Sequence, residues 1–447
     1  MTTDRPTHSP PGQSDILSDI KRHILIGGLG LVCDPARSCG SRFFDAASGR
    51  TLLDMYGFFA SMPIGFNHPH FDRPEVREDL LNAALTKVAN TEIATSQCAR
   101  FVKTLNRVIG VPELDRLFLI DGGTLAVENA IKAAMDWKVR RNIAAGRGED
   151  GTEVLHFRQA FHGRSGYTLS LTNTDPNKIL YFAKFDWPRV GSPAIDFSLP
   201  EPQRSEKAAS DERAAAAEIM AAIKARPHRI CSILIEPIQC EGGDRHFRKE
   251  WFRALRRICD ENEILLVFDE VQTGVCVTGR NWCWQHYDVM PDLLAFGKKA
   301  QVCGVMAGRR LDEVPDNVFR KPGRIASTWG GNLTDMVRST NYLTIIEQEK
   351  LVENAQAVGD RFLEHLHRFS AEQPLVSAPR GCGLLLAFDL PNTETRDAFW
   401  RASYEEGLLL NRCGGQSIRL RPVLDVKQDA MDETMQLLEK AIQKIKD

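Results

Sequence analysis

The amino-acid sequence predicts an α/β protein with two domains. The chain has 447 residues, which is more than one hydrophobic core usually holds, so two domains are expected. Between about residues 117 and 310, short continuous apolar runs alternate with stretches of helical periodicity. Such runs, bounded by helices, indicate a mainly parallel sheet that is buried on both faces.

Five apolar runs are the predicted strands of that sheet, at residues 117–120, 153–157, 231–236, 264–269 and 293–296. Between the third and fourth runs, residues 251–263 have the apolar spacing of a helix, which fits a crossover between parallel strands. A Pro- and Ser-rich stretch over 189–204 predicts a surface loop, and the Ala-rich stretch 205–225 predicts a helix.

The pattern changes after about residue 335, where a smaller α+β domain is predicted. Its elements are a long helix over 333–370, short strands such as 383–388, and a terminal amphipathic helix over 428–446. We expect a flexible N-terminal tail over 1–20 and an N-terminal segment over 21–75 that packs with the small domain. The large domain is expected over 76–335 and the small C-terminal domain over 336–447.

Composition argues against several classes of partner. The chain has 57 Lys and Arg against 59 Asp and Glu, a net charge of −2, so nothing predicts binding to nucleic acid or to an anionic membrane. No apolar run approaches the roughly 20 residues that span a bilayer. The polar, proline-containing N-terminus is not typical of a signal peptide. We therefore expect a cytoplasmic protein.

The cysteines and histidines predict no metal site. The 11 cysteines form no CxxC pair, and they are expected to be reduced and mostly buried. Two close histidine pairs, His68 with His70 and His365 with His367, lack acidic or cysteine partners nearby. Such pairs are usually incidental.

Open parallel sheets bind ligands beyond the carboxyl ends of their strands, and polar residues stand at several predicted strand ends. The turn Gly122-Gly123-Thr124 leads from a strand into a helix. It could hold a phosphate at the helix N-terminus, although a plain connection is the commoner explanation. Asp269 ends the fourth run, where it could cap a helix or pair with a pyridinium nitrogen.

Lys298 follows the fifth run directly after Gly297. It could be a surface lysine or an amine that forms a Schiff base. Asp269 and Lys298 are 29 residues apart, about one βαβ unit, which places both at the same edge of adjacent strands. Lys299 is an alternative that spacing alone does not exclude.

The order of these elements resembles the class III, or ω-type, aminotransferases. The matching segments are GGT at 122–124, FHGR at 161–164, EPIQ at 236–239, DEVQTG at 269–274, GK at 297–298 and ST at 327–328. The similarity extends from about residue 25 to the C-terminus, and DEVQTG followed by GK at this spacing is highly specific. Family members are fold-type I enzymes that use pyridoxal 5′-phosphate (PLP). Segments such as AVENAIKAAMDWK and STWGGNLTDMVR most resemble the lysine 6-aminotransferases of this family.

The resemblance implies a role for each cofactor residue. Lys298, rather than Lys299, is the Schiff-base lysine, and Asp269 pairs with the ring nitrogen of PLP. The remaining implied contacts are Gln272 at the ring hydroxyl oxygen, Gly123 and Thr124 at the phosphate, Phe161 stacked on the ring, and Thr328 at the phosphate of the partner subunit in a homodimer.

Two arginines are expected to bind substrate carboxylates, since the guanidinium fork suits that group. Arg164 is placed to hold the α-carboxylate of a lysine that reacts through its ε-amino group. Arg419 is placed to hold 2-oxoglutarate nearer the cofactor, with Arg421 as the alternative. Glu241 could neutralise Arg419 while lysine is bound and then move away, helped by the freedom of Gly242-Gly243; otherwise it is a structural salt-bridge partner.

The chain departs from the family pattern at two positions. Cys240 stands where a glycine commonly precedes the glutamate, and Val277 stands where an arginine is usual. Both changes bear on substrate range rather than on cofactor chemistry.

The expected reaction moves the ε-amino group of L-lysine to 2-oxoglutarate. The products would be L-glutamate and 2-aminoadipate 6-semialdehyde, which cyclises to piperideine-6-carboxylate. The alternatives are an ω-aminotransferase acting on ornithine, 4-aminobutyrate or a diamine, and a PLP racemase or mutase of the same fold. A non-enzymatic protein with this fold would be expected to lack Lys298 or Asp269, and both are present.

Overall fold

The computed structural model describes residues 15–446, and their strands form three sheets. The strands are β1 (Arg42–Asp45), β2 (Arg50–Asp54), β3 (Arg116–Ile120), β4 (Glu153–Phe157), β5 (Arg189–Val190), β6 (Ile230–Ile235), β7 (Leu265–Asp269), β8 (Leu293–Phe296), β9 (Cys303–Ala307), β10 (Ser377–Cys382), β11 (Leu385–Asp389), β12 (Leu408–Leu409), β13 (Asn411–Cys413) and β14 (Ser417–Leu420).

Helices cover these sheets. They are α1 (Asp15–Lys21), α2 (Gly57–Ala60), α3 (Pro74–Leu85), α4 (Ser96–Val108), α5 (Gly123–Ala144), α6 (Gly166–Leu171), α7 (Gln203–Ala225), α8 (Lys249–Glu261), α9 (Leu333–Gln348), α10 (Leu351–Glu372), α11 (Thr393–Glu405) and α12 (Gln428–Lys444). The segment α2 is a single turn whose four residues all have positive φ. None of the helices in the described part of the chain is long and apolar enough to cross a membrane.

The largest sheet has the strand order β3-β9-β8-β7-β6-β4-β5. Strand β9 is antiparallel to both of its neighbours, and the other adjacent pairs are parallel. The predicted, mainly parallel sheet is thus confirmed. All five predicted strands are present, with ends that differ by one residue at most.

Helices lie on both faces of this sheet, which is why its strands are continuously apolar. On one face, Leu265 and Val267 of β7 pack in the same cluster as α5. On the other face, Leu266 and Phe268 pack with Trp251 and the rest of α8. The predicted crossover helix is therefore confirmed, and its position explains the alternation of contacts along β7.

Two predicted elements differ from the structure. The long helix predicted over 333–370 is divided into α9 and α10 at Lys350, which has a left-handed φ of 53°. Because α9 packs on α3 and α4 whereas α10 packs on β10 and α12, both helices bury an apolar face and the sequence shows no gap in periodicity. The loop predicted over 189–204 begins with β5, which pairs with β4.

The C-terminal part of the chain contains the antiparallel sheet β10-β11-β14-β13. A third sheet joins it to the N-terminal segment, because β12 pairs in parallel with β2, Leu408 opposite Leu53. We retain the predicted boundaries, 76–335 for the large domain and 336–447 for the small one, as a proposal that this pairing supports.

The predicted flexible tail, residues 1–20, falls partly outside the described residues. Its residues 15–20 are helical, in α1, and Ile16 and Leu17 pack against a small cluster formed by Val32, Phe44 and Ala46. The apolar side chains of this short helix explain why it packs on β1 rather than extending away from it.

Candidate active site

A cavity of about 460 Å³ lies at the carboxyl edge of the large sheet. Six residues that the sequence predicts as cofactor ligands line it: Gly123, Thr124, Phe161, Asp269, Gln272 and Lys298. The cavity is also lined by His162 and Glu236, which the sequence did not single out. Arg164, Glu241, Arg419 and Thr328 do not belong to its lining.

One end of the cavity is the N-terminus of α5, reached directly from β3. Gly122 has a φ of 100°, a conformation that favours glycine. Gly123 is the first residue of α5, and a Cβ there would lie 2.7 Å from Cγ1 of Val271. Glycine is therefore required at position 123 for the close approach of α5 to Val271. A helix N-terminus approached so closely provides backbone N–H groups for an anion.

Asp269, at the end of β7, and His162, in the loop after β4, form a buried pair in this cavity. Nδ1 of His162 lies 2.8 Å from Oδ2 of Asp269, and the backbone N–H of Val271 donates to Oδ1 at 3.0 Å. The backbone of His162 is also held in place, because its N–H donates to Oγ1 of Thr172 at 3.0 Å. The carboxylate is consequently held in one orientation.

Lys298 follows β8 in a left-handed conformation with φ 47°. Since β7 and β8 are parallel neighbours, with Asp269 opposite Ala295, Lys298 and Asp269 lie at the same edge of adjacent strands, as their spacing predicts. Burial, followed by the positive charge of Arg419, lowers the pKa of the Lys298 amine. A lowered pKa increases the fraction of unprotonated amine near neutral pH.

Lys299, the alternative lysine, has a structural contact instead. It is buried, and its Nζ donates to the carbonyl oxygen of Met62 at 2.8 Å. Nearby, Nε2 of Gln301 donates to the carbonyl oxygen of Ser61 at 2.8 Å. These two bonds hold the segment after α2 against the cavity, and they leave Lys298 as the lysine that faces it.

Glu236 and Glu270 are further buried acids at this edge. Oε1 of Glu236 accepts from the backbone N–H of Phe161 at 2.9 Å. Burial, with the charge of Asp269, raises the pKa of Glu236 well above its ordinary value. Glu270, in the DEVQTG segment, instead accepts from the backbone N–H groups of Cys283 and Trp284 at 2.7 and 2.8 Å. Its role is structural.

A charged trio lies beside the cavity. Nη2 of Arg419 donates to Oε2 of Glu241 at 2.9 Å, and Nζ of Lys178 donates to Oε1 at 2.7 Å. Burial alone would raise the pKa of Glu241, but the two cations hold it below its ordinary value. Arg419 is 2% exposed, and its Nε and Nη1 have no hydrogen-bond partner within residues 15–446.

Arg421 differs from Arg419 in that its guanidinium is fully engaged. It pairs with the carboxylate of Asp244, donates from Nη1 to the carbonyl oxygens of Leu386 and Leu420, and contacts Gln272 from Nε at 3.3 Å. Breaking these buried contacts to bind a substrate would be costly. Arg419 is therefore the arginine with donors to spare.

Arg164 and Thr328 are exposed in the single chain. The guanidinium carbon of Arg164 lies 5.8 Å from the ring centroid of Phe161. Thr328 lies in a segment held by its neighbours: the backbone N–H of Asn90 donates to the carbonyl oxygen of Trp329 at 3.1 Å, and Thr91 donates to that of Ser327 at 2.5 Å. Thr328 stands apart from the cavity of its own chain.

The loop that carries Glu241 is held by the small domain. Arg380 donates to the carbonyl oxygens of Gly243 and Asp244 at 2.7 and 2.8 Å, and the backbone N–H of Gly414 donates to that of Glu241 at 3.1 Å. A Cβ at Gly242 would collide with the carbonyl oxygen of Gln159. The predicted freedom of this backbone is wrong, because the glycine allows close packing instead.

The two departures from the family pattern lie in the core. Cys240 and Val277 are both fully buried and belong to the main hydrophobic cluster. Neither lines the cavity.

Three functional candidates were missed from the sequence: His162, Glu236 and Lys178. His162 follows Phe161 in the FHGR segment and Glu236 begins EPIQ, so both stand in motifs that carry the family resemblance. Lys178 had no such signal, because it meets Glu241 only through folding, 63 residues along the chain.

Comparison with known proteins gives a consistent result. The profile of the family described as Aminotransferase class-III matches residues 29–442. The chain is 48% identical over 441 residues to the L-lysine-epsilon aminotransferase of Mycobacterium tuberculosis, covering 98% of this chain and 96% of that protein. It is 44% identical over 431 residues to the L-lysine-epsilon aminotransferase of Streptomyces clavuligerus, covering 96% and 94%.

The structure agrees with these matches. It superimposes with a TM-score of 0.94 on the solved structure of a lysine aminotransferase from M. tuberculosis in the internal aldimine form, at 48% identity, covering 97% of this chain and 99% of that one. The fold is thus that of the fold-type I PLP enzymes.

The cavity suits PLP on its own chemistry. It combines a glycine-lined helix N-terminus for a phosphate, a fixed carboxylate for a protonated ring nitrogen and a buried amine for the aldehyde. The chain belongs to the class III aminotransferases, and its cofactor is PLP.

Proposed function

We propose that this enzyme transfers the ε-amino group of L-lysine to 2-oxoglutarate. The products are L-glutamate and 2-aminoadipate 6-semialdehyde, which cyclises to piperideine-6-carboxylate. The observation that carries the proposal is the pair of Arg419 and Glu241, a buried carboxylate-binding arginine neutralised by an acid of its own chain. The names of the lysine ε-aminotransferases described above also support it.

Each cofactor contact is assigned to a residue of the cavity. Gly123 and Thr124 would hold the phosphate, Phe161 would pack on the ring and Gln272 would contact the ring hydroxyl oxygen. Asp269 would pair with the ring nitrogen and hold a proton there. When bound, PLP supplies the electron sink that makes loss of a proton from the substrate carbon possible.

His162 acts through Asp269. Its Nδ1 lies 2.8 Å from Oδ2 of the carboxylate, so it fixes the direction in which Asp269 faces the ring nitrogen. His162 is therefore a positioning residue.

Lys298 has two functions in the proposal. Its amine would hold the cofactor, and once free the same amine would accept a proton from the substrate carbon. Its lowered pKa, caused first by burial, favours the unprotonated form that is needed to accept that proton. The same group returns the proton in the second half-reaction.

Two arginines divide the substrates. Arg164, exposed beside Phe161, holds the α-carboxylate of lysine, so that the ε-amino end enters the cavity. While lysine is bound, Glu241 covers the charge of Arg419, which would otherwise face uncharged methylene groups. When 2-oxoglutarate binds, its carboxylate replaces Glu241 on Arg419.

The first prediction separates the two arginines. Arg164→Ala should raise KM for lysine by roughly fivefold, as expected for an exposed ion pair, and should matter little for a monoamine without the carboxylate. Arg419→Ala should weaken the binding of 2-oxoglutarate by about 2–5 kcal/mol, because the contact with its carboxylate is buried. The measurement is the rate of each half-reaction by stopped-flow absorbance. Equal impairment of both half-reactions in both variants would contradict the division.

A donor screen tests the proposed substrate. The enzyme is incubated with 2-oxoglutarate and, separately, L-lysine, ornithine, 4-aminobutyrate or a diamine, and glutamate is measured. We expect lysine to give the highest kcat/KM and a cyclic imine as the second product. Preference for another amine would assign the enzyme to a different ω-aminotransferase activity. Inversion of the configuration of the amino acid, without formation of glutamate, would indicate a racemase.

We further propose that the enzyme is a homodimer in the cytoplasm. The 11 cysteines are all free thiols, as expected in a reducing compartment. Several large apolar side chains are exposed in the single chain, among them Phe59, Leu85, Ile93 and Trp329, at 58%, 74%, 57% and 39%. Apolar exposure of this kind is typical of a subunit interface. Thr328, next to Trp329, would reach the phosphate site of the partner subunit.

The second prediction tests this shared site by complementation. Thr328→Ala and Lys298→Ala homodimers should each have low activity. In a mixed dimer, one site carries both changes and the other carries neither, so mixing and reassembling the two variants should restore activity. As a control, the Lys298→Ala protein is taken through the same dissociation and reassembly alone, without the Thr328→Ala protein. No recovery in mixtures that are shown by mass to contain mixed dimers would place Thr328 outside the partner site.

A further inference from the structure

Lys178 lies at a fixed position beside the Arg419–Glu241 pair. Its Nζ donates to Oε1 of Glu241 at 2.7 Å and to Oγ1 of Thr174 at 3.3 Å, and it lies 5.5 Å from the ring centroid of Phe161. The side chain is only 16% exposed. Contacts with Glu241, with Thr174 of its own segment and with Phe161 therefore hold this ammonium group in place.

Glu241 bridges two cations with its two oxygens. Oε1 contacts Lys178 and Oε2 contacts Nη2 of Arg419 at 2.9 Å. The backbone of Glu241 cannot follow a large movement, because Gly414 binds its carbonyl oxygen and Arg380 binds that of Gly243. Departure of Glu241 from Arg419 is thus a rotation of the side chain about a fixed backbone.

This rotation would be unfavourable without a second partner. The Glu241 side chain is 25% exposed, and a carboxylate that loses its partner in a partly buried site loses free energy. Because Lys178 binds the other oxygen, the carboxylate can pivot about Oε1 and stay paired while Oε2 leaves Arg419. Lys178 then matters most in the released state, where it is the remaining cation.

We propose that Lys178 is a specificity-determining positioning residue: it holds Glu241 after release from Arg419 and so makes Arg419 available to the carboxylate of 2-oxoglutarate. This inference rests on the proposed function and extends it. On this account, Lys178 sets the relative affinity of the enzyme for substrates that place a carboxylate at Arg419 and for substrates that do not. Lysine, whose methylene groups would occupy the same space, leaves the Arg419–Glu241 pair closed.

The test compares three single variants. Lys178→Met removes the charge and keeps the length, Lys178→Arg keeps the charge, and Lys184→Met is a matched control, since Lys184 donates to the backbone carbonyls of Ile179 and Phe182. Apparent Kd is measured by stopped-flow absorbance. Lysine is mixed with the enzyme that carries PLP, and 2-oxoglutarate is mixed with the enzyme whose cofactor carries the transferred amino group. Bound cofactor and Tm are checked in each variant.

We expect Lys178→Met to raise the apparent Kd for 2-oxoglutarate by about tenfold and that for lysine by less than about twofold. Lys178→Arg should restore most of the 2-oxoglutarate affinity, and Lys184→Met should behave as the parent enzyme. An equal rise for both substrates, or no rise for 2-oxoglutarate, would overturn the proposal, because a general structural role does not distinguish between the two.

A double variant separates an effect through Glu241 from direct binding of substrate. In the Glu241→Ala background, Lys178→Met should add less than about a twofold change for 2-oxoglutarate, because Lys178 no longer has a carboxylate to hold. The same rise as in the parent background would mean that Lys178 binds substrate itself. Glutamate is tested alongside lysine to separate this inference from the proposed function. If lysine is not the substrate, lysine should react slowly, but Lys178→Met should still weaken binding of the substrates that place a carboxylate at Arg419.

Discussion

Lys298→Ala should lose turnover by several orders of magnitude, the largest effect expected of any single substitution here. Both the attachment of the cofactor and the transfer of the proton depend on this amine. The measurement is a single turnover of the PLP form with lysine. Added PLP should still bind through the phosphate and ring contacts, so retention of cofactor absorbance with loss of reaction is the expected combination.

Lys299→Met is the matched control for that experiment. It removes the bond from Nζ to the carbonyl oxygen of Met62 but leaves Lys298 in place, so turnover should persist, with lower thermal stability. Borohydride reduction followed by peptide mapping should place the pyridoxyl label on Lys298 in the parent protein. A label on Lys299, or near-normal turnover of Lys298→Ala, would contradict the assignment.

Asp269→Ala should lose activity by about a hundredfold or more while retaining some PLP through the phosphate contacts. Without the Asp269 carboxylate, no side chain would hold a proton at the ring nitrogen, and PLP would supply a poorer electron sink. Single-turnover rates with lysine and with glutamate should both fall, because the ring serves both half-reactions. A near-normal kcat in this variant would exclude the proposed role.

His162→Gln is the companion variant. Since His162 acts through the orientation of Asp269 rather than on the cofactor, its loss should reduce the rate less than Asp269→Ala does. In the Asp269→Ala background, the His162 change should have little further effect. Additive losses would show that His162 has a separate function.

Much of the sheet and half of the site could be predicted because they depend on local patterns. Continuous apolar runs identified β7 and β8, and the βαβ spacing between Asp269 and Lys298 correctly placed them on adjacent strands. The phosphate and ring contacts were implied by the family resemblance and stay predictions, and the structure shows that the residues concerned line one cavity. The end of a parallel strand is a position that sequence specifies well, because the apolar run stops there.

What could not be predicted depends on contacts between distant segments. His162 meets Asp269 across 107 residues and Glu241 meets Arg419 across 178. The sequence suggested the second pair only because a substrate-binding arginine would need a neutralising acid, and it left a purely structural salt bridge as the alternative. The choice between Arg419 and Arg421 also required the structure, because Asp244 engages Arg421. Glycine at 242 was misjudged because tight packing and flexibility favour the same residue.

The most direct test of the central claim uses L-lysine labelled with ¹⁵N at one amino group. The enzyme is incubated with 2-oxoglutarate and either ε-labelled or α-labelled lysine, and the glutamate is analysed by mass spectrometry. We predict that glutamate carries the label from ε-labelled lysine and none from α-labelled lysine. Label from the α-position, or no labelled glutamate from either substrate, would contradict transfer of the ε-amino group.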